Sequence, residues 1–316
     1  MALTEEGLIQ VAGIASRWVR LRNGAKAHYV TAGEAGPNVV LLHGGFPGSS
    51  GIALWRFMIL ALAEAGFRVY APCRPGFGLS DLREEYWPHY GTFSWADFVD
   101  DFVDAVCLDR FHLAGSSQGA SVSAQYVVEH PEKVVSLAFV ASFSLMAQLG
   151  LDNDGKARER LPAVYVPAPW DGTKEMIGKD LLAVAYDKAS IPDDLVEMRF
   201  QSAKKQQKSL GTAIEFNKNI MKNPVYAQRL RLRGRLDKID LPAIYLWGKD
   251  DVMAPVEAGY EQEKILTNFQ FYYPGKCGHS GQNDQPALFN QVFVEFFKTG
   301  KVSAELGTEA GLSQRL

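Results

Sequence analysis

The sequence predicts an α/β fold in which a mostly parallel, eight-stranded sheet carries helices on both faces and is interrupted by a helical insertion. Three observations carry this. Six short apolar runs, Asn38–Leu42, Phe67–Tyr70, Phe111–Ala114, Val134–Val140, Ala243–Trp247 and Phe269–Tyr273, are mostly separated by stretches with helical spacing of apolar residues. Strands that alternate with helices pair in parallel and are buried on both sides. Two further runs, Arg17–Arg22 and Lys26–Thr31, flank Asn23-Gly24, a dipeptide suited to a tight hairpin, so the sheet opens with an antiparallel pair. The alternation then stops after Ser142 and resumes at Pro242, and the residues between have few β-branched runs. The organisation that follows is a sheet domain over residues 1–145 and 239–316 with a helical cap over residues 146–238. That cap holds 17 basic and 12 acidic residues, a net of +5 against −8 for the remainder of the chain. Its run Arg229-Leu230-Arg231-Leu232-Arg233 reads either as a solvated helix face or as part of a lid that attracts anions.

A chain of 316 residues buries about 75% of its extended surface in one body and needs no disulfide or metal staple. With 33 basic and 36 acidic residues it lacks the positive footprint that a nucleic-acid backbone demands. The longest apolar stretch, Phe57–Ala63, is seven residues, against about 20 for a membrane span. The opening MALTEEGLIQ carries two glutamates where an export signal needs a basic end and an apolar run. Cys73, Cys107 and Cys277 lack metal-ligand spacing, so the expectation is a cytoplasmic protein without metal or cofactor. A small molecule is then the expected partner, and a homo-oligomer is compatible with the sequence. Residues 301–316 read as a frayed tail or a docking segment.

The residues that promise chemistry lie where strands end. Gly115-Ser116-Ser117-Gln118-Gly119 is a G-x-S-x-G string between the Phe111–Ala114 run and the helical spacing of Ala120–Glu129. Ser117 would sit on a sharp turn at a helix N-terminus, where free N–H groups stabilise negative charge. A serine needs an imidazole base, and the imidazole needs an orienting carboxylate. Of six histidines, His28, His43, His89, His112 and His130 read as structural, with His43 a buried orienting group. His279 differs, because Gly275-Lys276-Cys277-Gly278-His279-Ser280-Gly281 is a loop directly after the last strand. The acid comes from Trp247-Gly248-Lys249-Asp250-Asp251, with Asp251 favoured over Asp250 by its spacing from the tryptophan. The order serine, acid, histidine suits a hydrolase sheet. Two N–H donors complete such a site: Gln118, after the serine, and Gly45 in His43-Gly44-Gly45-Phe46-Pro47-Gly48. That loop is no phosphate cradle, since no Lys-Ser/Thr follows it.

Taken together, His43-Gly44-Gly45, Arg74-Pro75-Gly76-Phe77-Gly78-Leu79-Ser80-Asp81, the Ser117 turn, Trp247–Asp251 with Pro255, and Gly278-His279 resemble an α/β-hydrolase with a helical cap. Within that superfamily the Gly44-Gly45 turn, Trp-Gly-Lys-Asp-Asp and Lys276-Cys277-Gly278-His279 resemble meta-cleavage-product hydrolases, which cut a carbon–carbon bond in ring-opened aromatic dienoates. The resemblance implies that the serine–histidine pair first helps the dienolate become a ketone. Ser117 or an activated water then attacks the carbonyl, and a dienol fragment leaves. It also implies that Arg199, on a helix around Leu195–Gln206, holds the substrate carboxylate; the alternative is an exposed helical arginine. Gly44, Phe46, Ser116 and Ser280 are expected at the substrate. Ser116 stands where an asparagine is common, Phe46 replaces a third glycine, and Ser280 replaces a bulky aromatic, which suits a larger or differently shaped substrate. The leading reading is therefore hydrolysis of a vinylogous 1,5-diketone, and the alternative is a carboxylesterase or lactonase. A third reading is a non-enzymatic small-molecule receptor. Haloalkane dehalogenase and epoxide hydrolase chemistry both need a carboxylate where Ser117 stands.

Overall fold

The computed structural model describes residues 3–86, 95–162, 165–219 and 222–314, so His89 lies outside the described residues. Eight strands form one sheet: β1 (Ala15–Arg20), β2 (Lys26–Ala32), β3 (Asn38–Leu42), β4 (Arg68–Pro72), β5 (Phe111–Ser116), β6 (Val134–Val140), β7 (Ala243–Leu246) and β8 (Gln270–Tyr272). Their order is β1-β2-β4-β3-β5-β6-β7-β8. The hairpin β1/β2 is antiparallel, as is β2/β4, and every later pair is parallel. The hairpin closes further out than Asn23-Gly24 alone suggests. Arg20 pairs with Lys26, and Leu21 folds back into the core as Gly24 takes φ +87°.

The parallel strands are apolar along their whole length because both faces are covered. Val39 to Leu42 and Phe111 to Ser116 are all buried. Helix Gly51–Glu64 begins where Ser50 Oγ accepts from Ala53 N. With helix Pro286–Thr299 it packs near Trp55, Phe293 and Phe297. The described part of the C-terminal tail, residues 301–314, is docked rather than frayed. Leu306 and Ala310 of the segment around helix Ala304–Glu309 are buried, and Ser313 N donates to Phe271 O at 2.9 Å, beside β8.

Between β6 and β7 the chain leaves the sheet. Its principal helices are Lys174–Val184, Asp193–Asn219 and Pro224–Leu230. The second is much longer than the Leu195–Gln206 segment expected, since backbone bonding carries it through Gly211 despite the poor helix propensity of glycine. Ile177, Leu181 and Ala203 form a small core of their own, with Trp170, Val196 and Phe200 around it. The arginine run is not one helix face: the helix ends at Leu230, and Arg231, Arg233 and Arg235 are exposed in the turn beyond. Arg229 is half-buried and bridges to helices Trp95–Ala105 and Gln118–Glu129, with Nε 2.7 Å from Glu129 Oε1 and Nη2 2.5 Å from Asp97 Oδ1. No helix among the described residues is long and apolar enough to cross a membrane.

Three buried histidines give the fold a defined pH response. His28 and His112 are pushed down from 6.5 to about 4 by burial, and burial with the Arg74 charge holds His43 well below 6.5. Their folded values lie below their unfolded ones, so in this window the unfolded state binds more protons. The stability they represent is complete above pH 6.5 and is lost as pH falls towards 4. Each histidine tilts stability by about 1.4 kcal/mol per pH unit there. We expect the urea midpoint to fall steadily across this range and the slope to flatten in His112→Gln, which keeps a polar partner for Ser136 Oγ, now 2.8 Å from His112 Nδ1. A midpoint independent of pH in that window would contradict it.

Candidate active site

The loops after the parallel strands gather at one edge of the sheet. After β5 the backbone turns at Ser117 with φ 55° and ψ −123° and enters helix Gln118–Glu129. Such a conformation is costly for a residue with a β-carbon. It is imposed by packing on both sides. A β-carbon at Gly115 would overlap Gly119 O, and one at Gly119 would overlap Leu42 O. Ser117 N donates to Val140 O at 2.8 Å, which ties the turn to β6. Its hydroxyl does not cap the helix it begins, and the residue is half-buried.

The loop after β3, the sheet neighbour of β5, lies against this turn. A β-carbon on Gly44 would stand 3.2 Å from Ser117 Cβ and 3.6 Å from its Oγ, and one on Gly45 would strike the Gln118 side chain. Gly45, Phe46 and Gln118 are half-buried, whereas His43 and Gly44 are buried. Further along, Gly48 has φ +71° and passes directly under the Arg199 backbone, and its N–H donates to Gln206 Oε1 at 2.7 Å. Arg199 is therefore not an exposed helical arginine. It is buried, donates from Nε and Nη2 to Pro47 O at 3.2 and 2.9 Å, and donates from Nη2 to Ser49 Oγ at 3.1 Å. Burial and the Arg56 charge lower it to about 10, so it stays cationic at neutral pH.

The two aspartates after β7 take different positions. Asp251 is buried; its Oδ1 accepts from Met253 N at 2.9 Å and Ala254 N at 2.8 Å, and its Oδ2 stands 2.7 Å from His279 Nδ1. The Trp247 indole closes the same loop by donating to Ala254 O at 2.7 Å. Asp250 is exposed and its carboxylate accepts from Cys277 N at 3.3 Å.

His279 is buried in the loop after β8. Its backbone N–H donates to Val184 O at 3.0 Å, so the segment between β6 and β7 crosses directly over it. With Nδ1 at the carboxylate, Nε2 is left as the acceptor. It is buried and has no hydrogen-bond partner among the described residues, Ser117 Oγ included. A long or unformed bond here is usual in a free enzyme. Ser116 is buried at the end of β5 and accepts from Gln282 Nε2 at 3.5 Å, while Ser280 is half-buried just before helix Gly281–Asp284.

Two residues here escape sequence reasoning. Asp284 accepts from Gly278 N at 2.7 Å and Asp187 N at 3.0 Å, joining the histidine loop to the overlying segment; burial raises its carboxyl. Arg74 reaches the Gly44 carbonyl and the Gln118 side chain. The position of Arg74 in the Arg74–Asp81 turn was visible; the direction of its side chain was not. His28 and His112 stand in β2 and β5, and His130 ends helix Gln118–Glu129, all away from the aspartate–histidine pair.

An α/β hydrolase fold family model matches residues 38–166. A 2-hydroxy-6-oxononadienedioate/2-hydroxy-6-oxononatrienedioate hydrolase of Paraburkholderia phymatum is 28% identical over 299 residues, which is 89% of this chain and 95% of that one. A 2-hydroxy-6-oxo-6-phenylhexa-2,4-dienoate hydrolase of Comamonas testosteroni is 26% identical over 276 residues, 86% of this chain and 91% of its own. Among solved structures, the 2-hydroxy-6-oxo-6-phenylhexa-2,4-dienoate hydrolase from Rhodococcus sp. strain RHA1 superposes with a TM-score of 0.70 at 23% identity, over 90% of this chain and 100% of the other. At that identity the likeness speaks for the fold. Strand order, turn geometry and these resemblances converge on one conclusion: the chain has the α/β-hydrolase fold and resembles the meta-cleavage product hydrolases along most of its length.

Proposed function

We propose that the protein is a serine hydrolase that cuts a carbon–carbon bond in a vinylogous 1,5-diketone formed by meta-cleavage of an aromatic ring, with Ser117, His279 and Asp251 as its triad. The observation that carries this is the buried His279–Asp251 pair at 2.7 Å, whose open Nε2 lies at the sheet edge to which the strained Ser117 turn also belongs. The relatives at 26–28% identity, named as dienedioate/trienedioate and dienoate hydrolases, support the substrate class.

Asp251 holds the proton on Nδ1 and stabilises the imidazolium that forms when Nε2 takes a proton. In the first step the imidazole relays a proton so that the dienolate becomes a ketone. Ser117 Oγ, or a water in its place, then adds to the carbonyl carbon and gives its proton to Nε2. The N–H groups of Gly45 and Gln118 receive the oxygen as it becomes negative, next to the N-terminus of helix Gln118–Glu129. The carbon–carbon bond breaks, its electron pair is delocalised over the dienoate fragment, and His279 returns the proton. Hydroxide from water ends on the acyl fragment. Residues 146–238 serve as the cap that excludes bulk water, and Gly44, Phe46, Ser116 and Ser280 line the substrate.

Arg199 uses Nε and Nη2 to hold the Pro47–Ser49 turn, and in this reading its charge attracts the substrate carboxylate. In Arg199→Ala we expect KM for a chromogenic dienoate to rise by about 10- to 100-fold while a neutral nitrophenyl ester changes by less than about threefold. Equal losses on both would reduce Arg199 to a support of the turn. The serines at 116 and 280 and the phenylalanine at 46 favour a second reading, hydrolysis of an apolar ester or lactone; ester turnover with no loss of dienoate absorbance would select it. A protein inert to both, and whose Ser117 resists a fluorophosphonate, would instead be a receptor.

A further inference from the structure

We propose that Arg74 is a positioning residue of the oxyanion hole: its Nη2 grips the Gly44 carbonyl and the Gln118 side-chain carbonyl, and thereby aims the Gly45 N–H at the substrate oxygen. This rests on the reading of Ser117 as the nucleophile.

Arg74 follows β4 and is wholly buried, yet among the described residues no carboxylate contacts it. Its guanidinium lies 4.7 Å from the Phe77 ring centroid and 4.4 Å from that of Trp95, and Nε and Nη1 have no partner among the described residues. Burial lowers it to about 9, which still leaves it charged at neutral pH. The ring faces recover only part of the lost hydration. An apolar side chain of equal volume would commonly hold such a turn as well or better. Stability therefore does not account for a cation here.

What it touches does. Nη2 donates to Gly44 O at 2.8 Å and to Gln118 Oε1 at 3.0 Å, one bond to each of the segments that supply an N–H to the oxyanion. Gly44 O also accepts from His43 Nδ1 at 2.8 Å. That direction follows from the other ring nitrogen: His43 Nε2 is occupied as acceptor for Arg74 N at 3.1 Å, so the proton sits on Nδ1. Gly44 O and Gly45 N–H belong to one planar peptide and point in opposite directions, so fixing the oxygen fixes the donor. Two adjacent glycines leave a peptide unusually free to rotate, and a doubly bonded carbonyl removes that freedom. A cationic donor on the carbonyl also polarises the peptide and makes its N–H a stronger donor. The Gln118 side chain, held by the same nitrogen, lies against Gly45 and blocks a flip.

The test uses the full chain with Arg74→Met, Arg74→Lys and, as control, Ser117→Ala. Three quantities are read: kcat and KM on a nitrophenyl ester, the affinity of a trifluoromethyl ketone relative to its methyl ketone counterpart, and the Gly45 amide proton shift in glycine-labelled protein. The trifluoromethyl ketone forms an oxyanion on Ser117 and the methyl ketone does not. Arg74→Met is expected to lower kcat by about 30- to 100-fold with KM within about threefold, and to cut the ketone affinity ratio by a similar factor. The Gly45 amide proton is expected to move upfield. Arg74→Lys keeps the charge but not the fork, and is expected to lose about three- to tenfold in kcat and in the ratio. If Arg74→Met does not fold, the lysine variant decides alone. An unchanged affinity ratio and an unchanged Gly45 shift in a folded variant, with or without a lower Tm, mark a merely structural arginine and overturn the proposal. Should Ser117→Ala keep its turnover, the nucleophile assignment fails and this inference fails with it; an inactive Ser117→Ala beside unaffected Arg74 variants refutes only the role of Arg74.

Discussion

Replacing Ser117, the proposed nucleophile, with alanine is expected to lower kcat by about 10⁴-fold or more on any substrate the protein turns over, because such a loss leaves only binding and the proposed oxyanion donors. The same position makes a separate prediction for stability. Ser117 holds φ 55° and ψ −123°, forced by the packing of Gly115 and Gly119. Strain of this kind costs about 1–3 kcal/mol for a residue with a β-carbon. Ser117→Ala keeps the β-carbon and the strain, so its Tm should match the parent. Ser117→Gly loses both, although a glycine also makes the unfolded chain more flexible, and a net gain of about 1 kcal/mol remains. Calorimetry on the two variants checks the order. A Ser117→Gly protein no more stable than Ser117→Ala would mean that the turn stores little strain.

For Asp251→Asn the expected loss in kcat is about 10⁴-fold with the fold intact, whereas Asp250→Asn should stay within about threefold. An asparagine can still accept from the Met253 and Ala254 N–H groups through Oδ1, which keeps the loop. Its amide NH₂ then faces His279 Nδ1 and donates to it. That places the ring proton on Nε2, where it blocks removal of the serine proton. Asp250 is exposed and its carboxylate accepts from the Cys277 N–H rather than from the His279 ring, so losing its charge alters neither ring nitrogen. Steady-state kinetics of the two variants separates the adjacent aspartates, and comparable losses would remove Asp251 from its assigned role.

Much of the sheet was readable in the residues. Asn38–Leu42 and Val134–Val140 coincide with β3 and β6, since a strand buried on both faces has to be a continuous apolar run. The early hairpin was placed by Asn23-Gly24, but its ends moved because pairing with β4 and burial of Leu21 set the register. The helical segment was harder. Amphipathic spacing reveals a helix but not how far it runs, and Asp193–Asn219 outlasts the apolar pattern that announced it. At the candidate site, Gly115, Ser117 and Gly119 announce a turn by local sterics. The choice between Asp250 and Asp251 had only their spacing from Trp247 to rest on.

The sequence by itself determined the order of strands and helices, the turn that presents Ser117, and the loops from which a base and an acid could come, because these follow from burial periodicity and from glycines at fixed offsets. Only the tertiary structure decided that Asp251 meets His279, that Arg199 turns inward onto the Pro47–Ser49 backbone, and that Arg74 reaches Gly44 with no carboxylate against it among the described residues. The reason is physical: a side chain's direction depends on which distant segments pack around it, and those segments are joined to it by no local rule of propensity or spacing.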